Sequence, residues 1–389
     1  MDHCTHLLPR QDSEKKVEYL ELIYDLIFVY IVGRNNSLLH AIEGGFLSAE
    51  TYLTYLLSTL VILQIWYFTT VFINRYGTNG LAEHLGIFIN MYLLYYMADG
   101  ARVYWQEFYI RYNVAWGLIL VNLGVQYLFK LRASRCLPTA DTGHIRHNAR
   151  MLFLQAGMIF ITIPLYHFFR FPLSLIALVF GVAAPLLYRN TGSLKEVDFP
   201  HLTERVMLYV VFTFGEMIVG IASYFEVGVT PNSVYFSLMA FLIVGGLFLS
   251  YGYLYDNVID REREDAGIGY MLLHIVLITA LNNITAAMEF MRDPEIHEVP
   301  KNIFLVASIV IYFVFLFLLE RYAIVRVRAN RYFFLRLLLL STVFIVLMAL
   351  FFRRPGISIA ISVLFIYSVF LALFLYGRHI QKSERSRSV

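Results

Sequence analysis

Apolar runs of about 20 residues recur along the whole chain, from "ELIYDLIFVYIV" near its start to "SVLFIYSVFLALFLY" near its end, with short polar stretches between them. A helix rising about 1.5 Å per residue needs roughly 20 apolar residues to cross a bilayer core. By that measure the pattern predicts twelve spans, near 18–40, 50–73, 85–104, 112–129, 151–168, 172–188, 205–224, 233–256, 268–289, 302–320, 332–352 and 355–377. The fifth and sixth are short enough to form one tight helical hairpin. No segment between spans is long enough for a soluble domain. The expected fold class is an all-α polytopic membrane protein.

Composition agrees. Of 389 residues, 59% are hydrophobic and 15% charged, and the mean hydropathy is +0.64, far from the charge a soluble surface needs. The net charge of +3 is too small to point to nucleic acid. Two cysteines, Cys4 and Cys136, form no CxxC motif and no disulfide framework. The first apolar run lacks an A-x-A-like cleavage site, so it should act as an uncleaved signal anchor. With the N-terminus inside, 22 of the 31 Lys and Arg fall in cytoplasmic segments, counting Arg205 at the edge of its span, and 6 in outer loops. That asymmetry predicts both termini in the cytoplasm and anionic lipid as a partner of the basic segments.

Two loops read alike. "FFRFP" (168–172) and "FFRRP" (351–355) stand 183 residues apart, and the same offset carries Glu21 onto Glu204 and "HNAR" (147–150) onto "NRYF" (330–333). Six spans per half is an even number, which predicts two parallel six-helix repeats, 18–190 and 191–377. A short N-terminal segment (1–17) and a basic tail (378–389) flank them.

Charges inside the spans are the candidates for chemistry, since each costs about 2.5–3.5 kcal/mol at mid-bilayer. Glu21 and Asp25 share one face of the first helix. Two close carboxylates favour a proton relay or a cation site. The structural alternative has Glu21 serving the positive end of its helix and Asp25 pairing with an arginine of a neighbouring helix. Glu216, in "TFGEMIVG", lies about 16 Å into its span, near the midplane, with Gly215 and Gly220 beside it to admit a close helix. Glu204 and Arg205 start that helix, where capping and snorkelling account for them. Arg205 or Arg34 could neutralise the carboxylates.

Secondary candidates are His201, Asp99 with Arg102 in "MADGAR", Asp256, His274 and Asn282. A charged loop accounts for Asp256, and the last two share a face of the ninth span. His144 and His147 are i, i+3 in a loop. No metal-ligand spacing, cofactor motif or catalytic signature (HExxH, GxSxG, Walker A, GxGxxG) is present.

"ELIYDLIFVY" resembles the E-L-F-F-D-L-V-F-V-F opening of the bacterial low temperature requirement protein A (LtrA) family. "HLTERVMLYVVFTFGEMIVGI" (201–221) resembles its H-x-x-E-R…L-G-E-S-I-V segment, with Met217 where Ser is common. "INRYGTNG" (73–80) stands where that family has an N-R-Y or Y-D-T-D-type turn, with Gly77, Asn79 and Gly80 replacing acidic members. The resemblance covers roughly residues 17–377 and carries over Glu21, Asp25, His201, Glu204, Arg205, Gly215 and Glu216. It implies a bacterial membrane protein associated with growth in the cold, and it makes Glu204 and Arg205 site members rather than caps. The leading expectation is a transporter or channel for a small cation, possible partners being that cation or a proton. A membrane-embedded lipid- or envelope-modifying enzyme and a non-catalytic scaffold or sensor are the alternatives.

Overall fold

A computed structural model describes residues 16–98, 105–133, 139–169, 174–187, 197–225, 228–324 and 330–385. Among them are twelve α-helices: α1 (Tyr19–Asn35), α2 (Ala49–Tyr76), α3 (Leu81–Ala98), α4 (Trp105–Ala133), α5 (Thr139–Phe169), α6 (Ser174–Leu187), α7 (Phe199–Gly220), α8 (Pro231–Asn257), α9 (Ile268–Arg292), α10 (Glu298–Leu318), α11 (Arg331–Phe351) and α12 (Pro355–Arg385). Nine of these are long and apolar enough to cross a membrane; α1, α3 and α6 are the others. The chain is an all-α membrane protein with helices at the twelve predicted places.

Boundaries differ where charge was taken for loop. The first span is α-helical only to Asn35 and tightens into a 3-10 turn over Asn36–His40. α5 begins at Thr139, twelve residues earlier than predicted, so His144 and His147 are helical and His144 is buried. Backbone hydrogen bonding sets a helix end, and it continues past the point where side chains turn polar. Asp99, Arg102, Cys4 and Cys136 lie outside the described residues.

The chain forms two compact units. One comprises Met1–Ala41, Ala49–Arg205 and Glu264–Gly267; the other comprises Ile42–Ser48, Val206–Arg263 and Ile268–Val389. In the first, α2 is the most enclosed of the candidate spans and packs on α1, α4 and α6, while α3 packs on α1 and α4, and α5 on α4 and α6. Buried amides tie these helices: Gln155 Nε2 donates to Gln64 Oε1 (2.7 Å) and Gln64 Nε2 to the Leu178 carbonyl (3.1 Å). Asn35 donates to Thr59 Oγ1 (2.7 Å) and to the Tyr55 carbonyl (3.2 Å), holding α1 on α2. In lipid such bonds hold helices that the hydrophobic effect does not.

In the second unit α9 is the most enclosed span. It packs on α10 and α12, and α12 packs on α8 and α11. His274 on α9 is fully buried. Its Nδ1–H donates to the Tyr270 carbonyl (2.8 Å), which leaves Nε2 to accept from the Tyr251 hydroxyl (3.1 Å). A two-residue hairpin, β1 (Ile42–Glu43) and β2 (Phe46–Leu47), belongs to this unit as well. Its turn places Gly44 and Gly45 at φ 59° and 86°, which suits glycine, and the Gly45 carbonyl accepts from the His297 N–H (2.8 Å).

Candidate functional site

α1 wears its polarity inward. Glu21, Tyr24, Asp25, Phe28, Val32 and Asn35 are buried along one stripe, whereas Ile23, Leu26 and Tyr30 on the other face are exposed. That pattern suits a helix whose outer face meets hydrocarbon. The stripe brings Glu21 and Asp25 against the first turns of α7. There the chain turns into the helix at Asp198, whose Oδ1 accepts from the His201 N–H (3.0 Å) as an N-terminal cap.

Arg205, one turn beyond His201, is fully buried and holds both carboxylates. Its Nε donates to Asp25 Oδ2 (3.0 Å) and its Nη2 to Asp25 Oδ1 (2.8 Å), a two-pronged grip, while Nη1 donates to Glu21 Oε2 (2.9 Å). The indole N–H of Trp66, from α2, donates to Asp25 Oδ1 (2.9 Å). Behind Asp25, the Tyr24 hydroxyl donates to Thr69 Oγ1 (3.2 Å), whose own proton goes to the Ile65 carbonyl (3.0 Å).

His201 completes the group. Its Nε2 stands 3.4 Å from Glu21 Oε2. On the other side of the ring, the Asn74 amide fixes the tautomer. Asn74 Oδ1 accepts from the Asp198 N–H (3.1 Å), so its Nδ2 faces the Asp198 carbonyl (2.8 Å) and His201 Nδ1 (3.1 Å). Nδ1 is therefore an acceptor, and the ring proton sits on Nε2, toward Glu21. Among the described residues, Arg205 holds two carboxylates with one guanidinium.

Snorkelling does not describe Arg205, which points into the protein rather than toward water. The cap of α7 is Asp198, neither Glu204 nor Arg205; Glu204 is half-buried. Glu21 does lie in the first turn of α1, yet its carboxylate is spent on Arg205. Arg34 is exposed at the far end of α1 and is not the neutralising cation. Glu216 stands eleven residues beyond Arg205 on α7, about 16 Å along the axis. It is half-buried, and among the described residues no donor or cation reaches it. Gly215 meets no neighbour within 4 Å and Gly220 meets only Thr285 Cγ2 at 3.8 Å, so neither marks a tight helix crossing. Asp256 is exposed on the last turn of α8, and Asn282 donates to the Ile278 carbonyl of its own helix (2.8 Å). Among the described residues no group of three or more His, Cys, Asp or Glu side chains could hold a metal ion.

Trp66 and Asn74 escaped the sequence reading. The one available signal is their spacing: eight residues apart, they lie on one face of α2, as a Trp and an Asn within an apolar span. Trp66→Phe should cost about 1.5–3 kcal/mol, the range for a hydrogen bond to a charged group. A melting curve of the purified variant in detergent measures it, and an unchanged midpoint would contradict the bond.

One family model matches, described as bacterial low temperature requirement A protein (LtrA), over residues 16–367. No curated protein and no solved structure matches the chain.

Proposed function

The chain belongs to the bacterial low temperature requirement A family, and from that premise we propose that it carries a proton or small cation across the bacterial cytoplasmic membrane. The buried Glu21–Asp25–Arg205 group is the charge-handling element in this reading. One observation carries it: one guanidinium holds two carboxylates within an apolar bundle, and the histidine beside them turns its Nε2 edge toward Glu21. Buried charge of this kind is costly in an apolar medium. A proton or a small cation arriving at the Glu21–His201 side would change the charge of the group, and its departure would restore it. Such a two-state charge is what ion coupling needs.

The order of the helices supports a duplicated architecture. The 183-residue offset lays α1 on α7, α2 on α8 and so on through α6 on α12. Within each unit the matching pairs are neighbours: α3 with α4 as α9 with α10, α5 with α6 as α11 with α12, and α2 with α6 as α8 with α12. The positive-inside bias supports cytoplasmic termini. Growth in the cold, the trait in the family's name, would then depend on this transport.

Flux into proteoliposomes under proton, sodium and potassium gradients tests the reading. Wild-type protein should carry one of these ions, and Asp25→Asn and Glu216→Gln should reduce its flux at least about tenfold while still inserting. Normal flux in both variants would remove the charge-handling role. A second reading rests on the saturation of Asp25, which accepts from Arg205 and Trp66 together: the cluster is then a static tie of α1 and α2 to the start of α7. In that case Asp25→Asn lowers the melting temperature and no gradient drives flux in the wild type.

A further inference from the structure

The end of α2 carries a second buried arginine, in circumstances opposite to those of Arg205. Arg75 is 8% exposed, and its Nε and Nη1 are closed off from solvent with no acceptor among the described residues. No carboxylate among those residues pairs with it. Glu83, the nearest acid along the chain, accepts from the Thr78 N–H (2.9 Å) and lies 3.6 Å from Lys130 Nζ. Asp198 is committed to the cap of α7.

Among the groups near enough to feel the charge of Arg75 are Tyr67 on its own helix, Tyr127 on α4 and His144 on α5. These are two phenols and an imidazole, able to hydrogen-bond and without formal negative charge. Asn148, one turn beyond His144, directs its amide at Tyr127 Oη (3.5 Å) and at the His144 ring (3.3 Å). Tyr76 Oη is 2.8 Å from His144 Nδ1. The result is a set of polar groups from α2, α4 and α5 around one cation, with no counter-charge among the described residues. A buried cation left uncompensated is strongly unfavourable.

We propose that Arg75, together with Asn148 and the Tyr127 hydroxyl, binds a phosphate-class oxyanion, either the phosphodiester of a phospholipid or free phosphate. The planar guanidinium fork matches a tetrahedral oxyanion and gives it two parallel hydrogen bonds, which a halide cannot use. The depth fits as well. Arg75 is in the last turn of a 28-residue helix, among tyrosines of the kind that settle at the headgroup level. This site stands independently of the transport reading.

The test is the melting temperature of delipidated protein in neutral detergent. It is titrated with sodium phosphate, with dioctanoyl phosphatidylglycerol, and with sodium chloride at matched ionic strength. Phosphate or the lipid should raise the midpoint in a saturable way that chloride does not reproduce. A response to lipid alone names a headgroup site, and a response to both names the phosphate itself. Arg75→Gln should weaken the apparent affinity at least about tenfold, while Arg150→Gln, an exposed cation on α5, should leave it unchanged. If Arg75→Gln does not fold, Arg75→Lys keeps the charge, loses the fork and should still weaken binding about tenfold. No saturable response in the wild type, or the same affinity in the Arg75 variant that folds, would overturn the proposal.

Discussion

Arg205→Met is expected to destabilise the protein by about 3–5 kcal/mol, the range for breaking a buried ion pair by removing one partner. The guanidinium is fully buried and supplies donors to both Asp25 and Glu21. Without it Asp25 keeps the Trp66 N–H, and Glu21 has the His201 edge at 3.4 Å beside it. A loss of that size is a large share of a typical folding free energy, so the variant should yield little monodisperse protein. The cause is separable from lost packing. Adding Asp25→Asn and Glu21→Gln to Arg205→Met removes the stranded charges and should recover a good part of the yield. Failure to recover any would place the defect in shape rather than charge. Arg205→Lys should fall between, because a single ammonium cannot span both carboxylates.

Gly246→Leu is the second large effect expected, at about 1–3 kcal/mol or more from overpacking. A Cβ on Gly246 would stand 2.6 Å from Ile366 Cγ2 and 3.1 Å from the Tyr367 ring, both on α12. There α8 and α12 approach closely because one of them lacks a side chain. Gly252, further along α8, has nothing within 4 Å of that position, so Gly252→Leu should change the stability by no more than about 0.5 kcal/mol. Equal effects at the two positions would contradict the close packing at Gly246.

The membrane fold was legible because hydrocarbon demands long apolar helices, and that demand is written locally. The carboxylates of α1 were legible for the same reason, as charges where charge is costly. Their partners were not. Trp66 is 41 residues from Asp25 and Arg205 is 180, and contacts across such separations leave no local pattern. Arg205 was drawn in by family resemblance after its position had suggested a snorkelling end. His144 is misread because the charges from Lys130 to Arg150 look like a loop, although α5 already begins at Thr139. Arg75 was counted as one more basic residue near the interface, and only its burial separates it from the rest.

The 180 residues between Asp25 and Arg205 also set a timetable. At roughly 5–20 residues per second, α1 leaves the ribosome some ten to forty seconds before the arginine that holds its carboxylates exists. For that interval the helix carries two acids into a nonpolar medium without their cation, at an expense the bilayer resists. Its final seating must therefore wait for α7, with α1 lodged meanwhile beside water or within the insertion machinery. A helix made early is fixed late, and its lock is delivered only after 180 further residues have been synthesised.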